Sequence, residues 1–146
     1  MSELSSIEEV IAALQAGKPV LVSDAEDREN EGDAIIAAEF ATQEWLAWMI
    51  RYTSGYICAP MSRERANKLE LPLMWVNNKD PHQTAYTVSV DAASRTSTGI
   101  SAEERALTGR VLADPNSTAD SLIRPGHVIP LRAKPGGVLE LSLIHI

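Results

Sequence analysis

The stretch PVLVSDAEDRENEGDAIIAA, residues 19–38, sets two short apolar runs on either side of an acidic segment. Runs of four or five apolar residues bounded by polar clusters have the length and composition of buried strands, so Pro19–Val22 and Ala34–Ala38 are predicted strands. The residues between them then form a loop. Asp24, Glu26, Asp27, Glu29, Glu31 and Asp33 crowd that segment, and only Arg28 offsets them.

Upstream, Ile7, Val10, Ile11 and Leu14 recur at helical spacing behind a Ser6/Glu9 capping-box signature, and Gly17 ends the helix. Downstream, Thr42 caps a helix carrying Trp45, Leu46, Met49, Ile50 and Tyr52, with Gly55 as its stop. Tyr56–Ala59 reads as a strand ending before Pro60, Ser62 opens a short helix, and 71–84 reads as loop. Tyr86–Val90 alternates as a half-buried strand with Thr87 and Ser89 on its polar face. A second capping box, Ser101 with Glu104, starts a helix that Asp114-Pro115 closes, and the rest reads as short apolar pieces between turns at Arg124-Pro125-Gly126 and Pro135-Gly136-Gly137. Strands and helices interleave without internal repeat, which predicts one α/β or α+β domain with helices layered on a sheet. Strand order stays open.

Charge and composition exclude several classes. With 146 residues and a formal net charge of -7, the chain lacks the clustered Lys and Arg that nucleic acid or an anionic membrane surface would attract. No apolar run approaches the ~18–20 residues needed to span a bilayer, and no basic leader precedes an apolar stretch. Cys58 is the single cysteine, which rules out an internal disulfide framework or a multi-cysteine zinc site and suits a reducing cytoplasm. A small molecule or metal is the expected partner.

Three segments carry candidate chemistry. Glu26-Asp27-Arg28-Glu29-Asn30-Glu31-Gly32-Asp33 gathers hard oxygen ligands of the kind that hold Mg2+ through one or two carboxylates plus water and substrate, with Arg28 able to grip a phosphate or hydroxyl bidentately. The same octet is also readable as a solvated, self-repelling loop. Arg95-Thr96-Ser97-Thr98-Gly99-Ile100-Ser101 runs hydroxyls and a glycine into a helix N-terminus, where free amides would hold an anion or a capping serine would simply satisfy them. In Arg124-Pro125-Gly126-His127-Val128-Ile129-Pro130-Leu131-Arg132, flanking arginines would favour the neutral imidazole that a general base requires, although a lone histidine also serves as a packing residue. His82, in a polar loop, fits the packing role.

EDRENEGD at 26–33, SGYIC at 54–58, TSTGIS at 96–101 and RPGHVIPLRAKPGGVLE at 124–140 together resemble the dihydroxybutanone phosphate synthases, in the order and spacing of that family, over about residues 7–140. The resemblance implies a mixed twisted sheet layered with helices, and a lyase of riboflavin biosynthesis that converts ribulose 5-phosphate to 3,4-dihydroxy-2-butanone 4-phosphate and formate with Mg2+ or Mn2+. It implies a cytoplasmic homodimer when complete. By position, Glu29 resembles the metal-binding glutamate, Arg28 and Asp33 with it the substrate-binding set, and His127 the catalytic histidine. Cys58 and Thr98 resemble active-site wall residues. Ala25 stands where the family commonly has a second aspartate.

The end of the chain departs from the family. After Glu140 neither an Arg-x-Gly-His-Thr-Glu stretch nor a later Cys-Glu pair follows, and Leu141–Ile146 reads like a translated sequencing adapter rather than a natural continuation. The expectation is a partial synthase domain over 1–140 with a non-native tail over 141–146, inactive by itself. Two other readings stay open: a metal- and phosphosugar-binding module without turnover, and a part of a fusion that also carries GTP cyclohydrolase.

Overall fold

The computed structural model of the protein describes residues 4–24 and 30–135. Helix α1 (Ile7–Gln15) begins as its sequence dictates, with both halves of the Ser6/Glu9 capping box formed: Glu9 N–H donates to Ser6 Oγ at 3.3 Å and Ser6 N–H to Glu9 Oε2 at 2.8 Å. Strands β1 (Val20–Ser23) and β2 (Gly32–Ile35) pair antiparallel, Val20 opposite Ile35 and Ser23 opposite Gly32. The second strand starts inside the acidic motif, two residues before the predicted one, so Asp33 belongs to a strand and is paired with Val22.

A 3-10 turn, Ala38–Phe40, leads into α2 (Gln43–Tyr52), capped by Thr42 as expected, and β3 (Cys58–Met61) follows. The predicted stop at Pro60 fails, because β3 continues through it to Met61. Helix α3 (Arg63–Lys68) and the loop to residue 84 precede β4 (Val90–Ala92). Helix α4 (Ala102–Ala113) has its own complete capping box, and β5 (Leu122–Arg132) is the longest strand. Residues predicted as turns around Pro125 therefore lie within a strand. The irregularity they signal is real but local: Val90 pairs with Val128 while its neighbour Asp91 pairs with Ile123, so 124–127 are taken up in a bulge, and the Arg124–Pro125 peptide bond is cis.

The main sheet has the order β3-β5-β4, with β5 central, parallel to β3 and antiparallel to β4. Alternation along β5 sorts its side chains: Leu122, Val128 and Pro130 are buried, while Ile123, Pro125 and His127 are exposed. Leu122 and Val128 pack with Val90, Ala66, Leu69, Leu71 and Leu112 beneath α3 and α4, joined by Ile57, Ala59 and Met61 of the β3 segment. Each large aliphatic chain buried there stabilises the fold by about 1.5–3 kcal/mol. Arg65 of α3 closes the end of α4, its Nε and Nη2 donating to Leu112 O at 3.1 and 3.0 Å, which satisfies a carbonyl that a helix terminus leaves unpaired.

Residues 86–89, predicted as a regular strand, make only irregular contacts with β5, and Thr87 is not on a polar face. It is fully buried and donates to Pro130 O at 2.9 Å. Among the described residues no helix is long and apolar enough to cross a membrane. Helices α3 and α4 pack against the main sheet, and the alternate β5 residues Ile123, Pro125 and His127 lie on an open face.

Candidate active site

His127 stands on that open face, its side chain 37% exposed. Its immediate partner is Asp91 of β4, which is only 6% exposed. The carboxylate receives two bonds from one residue: backbone N–H of His127 to Oδ1 at 2.9 Å, and ring Nδ1 to Oδ2 at 2.8 Å. A carboxylate only accepts, so the ring proton belongs on Nδ1 and the lone pair of the neutral imidazole on Nε2. This is the arrangement of a base held by an orienting acid.

Close backbone packing makes the pair possible. A Cβ at Gly126 would lie 2.0 Å from the carbonyl carbon of Val90, and Gly126 N–H donates to Ser89 Oγ at 3.1 Å. The bulge thus presses β5 against β4 at the one point where His127 must reach Asp91. The arginines do not flank the imidazole as expected. Arg124 bonds the carbonyls of Leu69, Ala119 and Leu122, and Arg132 that of Leu71. Both belong to the opposite set of β5 side chains, because they lie an odd number of residues from His127 on an alternating strand.

Register adds Cys58, which is paired with Ile129 and so shares the face of His127. Burial pushes the Cys58 thiol above its ordinary range, and the negative charge of Asp33 pushes it the same way. That influence brings the last acid of the octet to within electrostatic reach of the β3 edge. Tyr56 and Tyr86 close over the same face, their rings edge to face at 6.3 Å. Of the acidic segment, Asp24 and Glu31 are joined, Glu31 N–H donating to Asp24 Oδ1 at 2.7 Å and Asp24 N–H to Glu31 O at 3.2 Å. Arg28 and Glu29 lie outside the described residues, as does the tail 141–146. Among the described residues no three acid, histidine or cysteine side chains gather as a metal site.

The hydroxyl-rich segment before α4 resolves toward capping. Both oxygens of the Glu104 carboxylate are occupied: Oε1 by the amide and hydroxyl of Ser97, and Oε2 by Gly99 N–H at 3.1 Å and the Ser101 hydroxyl at 3.1 Å. Those donors, Ser97 first, hold its pKa down at about 2. The amides of Ser97, Gly99 and Ser101 are therefore taken by Glu104, and that of Glu104 by Ser101 Oγ. Thr98 is exposed beside them.

Asp91 was not identified from the sequence. A signal existed, since it is the single charge in Val88-Ser89-Val90-Asp91-Ala92-Ala93, and an acid in so apolar a run needs a partner.

The profile of the 3,4-dihydroxy-2-butanone 4-phosphate synthases matches residues 8–142. The chain belongs to the 3,4-dihydroxy-2-butanone 4-phosphate synthase family. The riboflavin biosynthesis protein RibBA of Nocardia farcinica is 60% identical over 140 residues, which are 96% of this chain and 34% of that protein. RibBA of Mycobacterium tuberculosis is 58% identical over the same length, 33% of its own. The chain thus spans about a third of the curated relatives it matches. A 3,4-dihydroxy-2-butanone 4-phosphate synthase solved in complex with two magnesium ions superposes with a TM-score of 0.93 at 51% identity, covering 95% of this chain and 65% of that one. The synthase of Candida albicans superposes at 0.82 with 49% identity, covering 97% and 74%. The mixed α/β fold expected of the family is therefore the fold observed.

Proposed function

We propose that this synthase-family chain carries the proton-transfer and substrate-orienting part of a site that converts ribulose 5-phosphate to 3,4-dihydroxy-2-butanone 4-phosphate and formate. The observation that carries the reading is the His127–Asp91 pair, which leaves Nε2 of an exposed imidazole as acceptor on the sheet face that also bears Cys58. His127 Nε2 removes the proton from the third carbon of the sugar, giving an enediol that loses water, rearranges, takes up water again and releases formate. Asp91 holds the ring and balances the charge it gains. Arg28 and Asp33 orient the flexible sugar phosphate, and positioning of that kind supplies a large share of rate enhancement.

The donor chemistry fits a divalent cation, Mg2+ or Mn2+: Glu29 and neighbouring carboxylates offer hard oxygens between Asp24 and Glu31, which are themselves joined. Bound there, the cation would stabilise negative charge developing on the sugar oxygens. The comparison structure with two magnesium ions supports this assignment. We take the working form to be a cytoplasmic homodimer, for which sedimentation of a full-length protein is the test.

Formate release from ribulose 5-phosphate by a full-length protein containing this sequence tests the activity. His127→Ala or Glu29→Gln is expected to lower it by at least about 10²–10⁴-fold, and undiminished turnover in either refutes the assigned role. A second reading, that this sequence is one part of a two-activity fusion with GTP cyclohydrolase, is favoured by the one-third coverage of RibBA proteins.

A further inference from the structure

Asp91 is held on three sides, its carboxylate by Gly99 and its backbone by Thr108 and Gly126, and the first two contacts trace back to Glu104 in the first turn of α4. Gly99 sits against it so closely that a Cβ there would fall 2.0 Å from Oδ2 and 2.3 Å from Cγ. With φ of +83°, Gly99 also occupies backbone space that other residues avoid. Its N–H is fastened to Glu104, whose two oxygens gather Ser97, Gly99 and Ser101 into one cluster. Thr108, one turn on, donates to Glu104 O at 2.9 Å and accepts the N–H of Ala92, the residue after Asp91, at 3.0 Å. From the third side Gly126 abuts Asp91 N. Both carboxylate oxygens meet His127, Oδ1 its backbone N–H and Oδ2 its ring Nδ1.

We infer that Glu104 and Gly99 are positioning residues that fix the tautomer and orientation of His127 by holding the Asp91 carboxylate in place. Neither touches the imidazole. Glu104 fixes the loop, the loop sets Gly99 against the carboxylate, and the carboxylate then holds the proton of His127 on Nδ1. A hydrogen bond to a carboxylate ordinarily biases such an equilibrium by about ten- to a hundredfold. The consequence for turnover rests on the proposed role of His127, but the coupling itself is a property of the folded chain.

The test is a long-range proton–nitrogen correlation of the imidazoles in the 15N-histidine-labelled 146-residue chain. It is run at about pH 8, above the ordinary imidazole range. His127 and His82 are assigned by their loss in His127→Gln and His82→Gln, which sets His145 apart, and His82 serves as internal reference. The expected wild-type pattern is an excess of the Nδ1–H form of at least about tenfold. Glu104→Gln keeps the side-chain shape but faces an NH2 toward donors, and should reduce that excess by about tenfold, leaving His82 unchanged. Gly99→Ala should do the same by displacing the carboxylate directly, and if it fails to fold, Glu104→Gln decides alone. A wild-type His127 pattern retained in a folded Glu104→Gln chain overturns the inference, as does a wild-type ring with no excess of the Nδ1–H form. Release of the tautomer alongside a full-length protein that makes no formate would uphold the coupling and remove the lyase reading.

Discussion

Replacing Gly126 with alanine probes the contact on which the His127–Asp91 pair depends, without altering either side chain. The new Cβ would lie 2.0 Å from Val90 C, 2.3 Å from Asp91 N and 2.4 Å from Val90 O, all backbone atoms that cannot rotate away. Ordinary contact begins at 3.4 Å, so the strands must part by about 1.4 Å, the difference between 3.4 and 2.0 Å. That displacement breaks Gly126 N–H to Ser89 Oγ at 3.1 Å and His127 N–H to Asp91 Oδ1 at 2.9 Å. Overpacking of a tight interior costs about 1–3 kcal/mol, the neutral bond about 0.5–1.5 kcal/mol and the bond to the carboxylate about 1.5–3 kcal/mol, so a loss of about 3–7 kcal/mol is expected. Urea unfolding followed by tryptophan fluorescence reads this as a fall of roughly 2 M in midpoint. Gly109→Ala is the control. Its Cβ would meet nothing nearer than 3.7 Å inside α4, and removing a helical glycine should stabilise by about 0.5–1 kcal/mol. A Gly126→Ala midpoint within about 0.3 M of wild type would refute the close-packed bulge.

Glu104 gives a pH signature. Its pKa is lowered on folding from an ordinary 4.5 to about 2, so its stabilisation is complete above about pH 4.5 and drains away as pH falls toward 2. Acid unfolding of Glu104→Gln should lack that component, and an unchanged acid transition would contradict the bonding described. Asp33→Asn should shift the pH profile of Cys58 alkylation to lower pH, because one of the two influences raising the thiol is removed. An unshifted profile would place the octet away from β3. Leu69→Ala empties a fully buried position and should cost about 2–5 kcal/mol in the same urea assay. Finally, Trp75 and Val76 are 69% and 83% exposed in one run with Leu73 and Met74. Trp75→Ser with Val76→Ser should reduce apolar dye binding, and an unaltered signal would mean the patch is already covered.

What the sequence made legible was local. Ser6/Glu9, Thr42, Ser62 and Ser101/Glu104 announce four helices through caps whose partners lie three residues away, and all four helices begin there. What depends on distant pairing was not legible. Pro125, Gly126 and Pro130 argue against a central strand, yet β5 is one: the bulge absorbs the first two. Pro130 accepts from Thr87, so the N–H it lacks would have pointed to the irregular 86–89 segment, where no regular ladder needs it. The charge reading around His127 failed for a similar reason. Arg124 and Arg132 are neighbours of the histidine in sequence, but strand alternation turns them to other carbonyls and leaves Asp91, 36 residues away, as the partner. Motif matching located His127 and the octet, and only the fold supplied the acid that orients the ring.

The proposed site joins the acidic octet to the His127 imidazole. Titrating Mn2+ into the 15N-histidine-labelled chain tests it most directly, since the ion broadens resonances of nuclei near it. Selective broadening of His127 over His82, abolished by Glu29→Gln, is the predicted result. Equal broadening of His127 and His82, or broadening of His127 that survives Glu29→Gln, would contradict it.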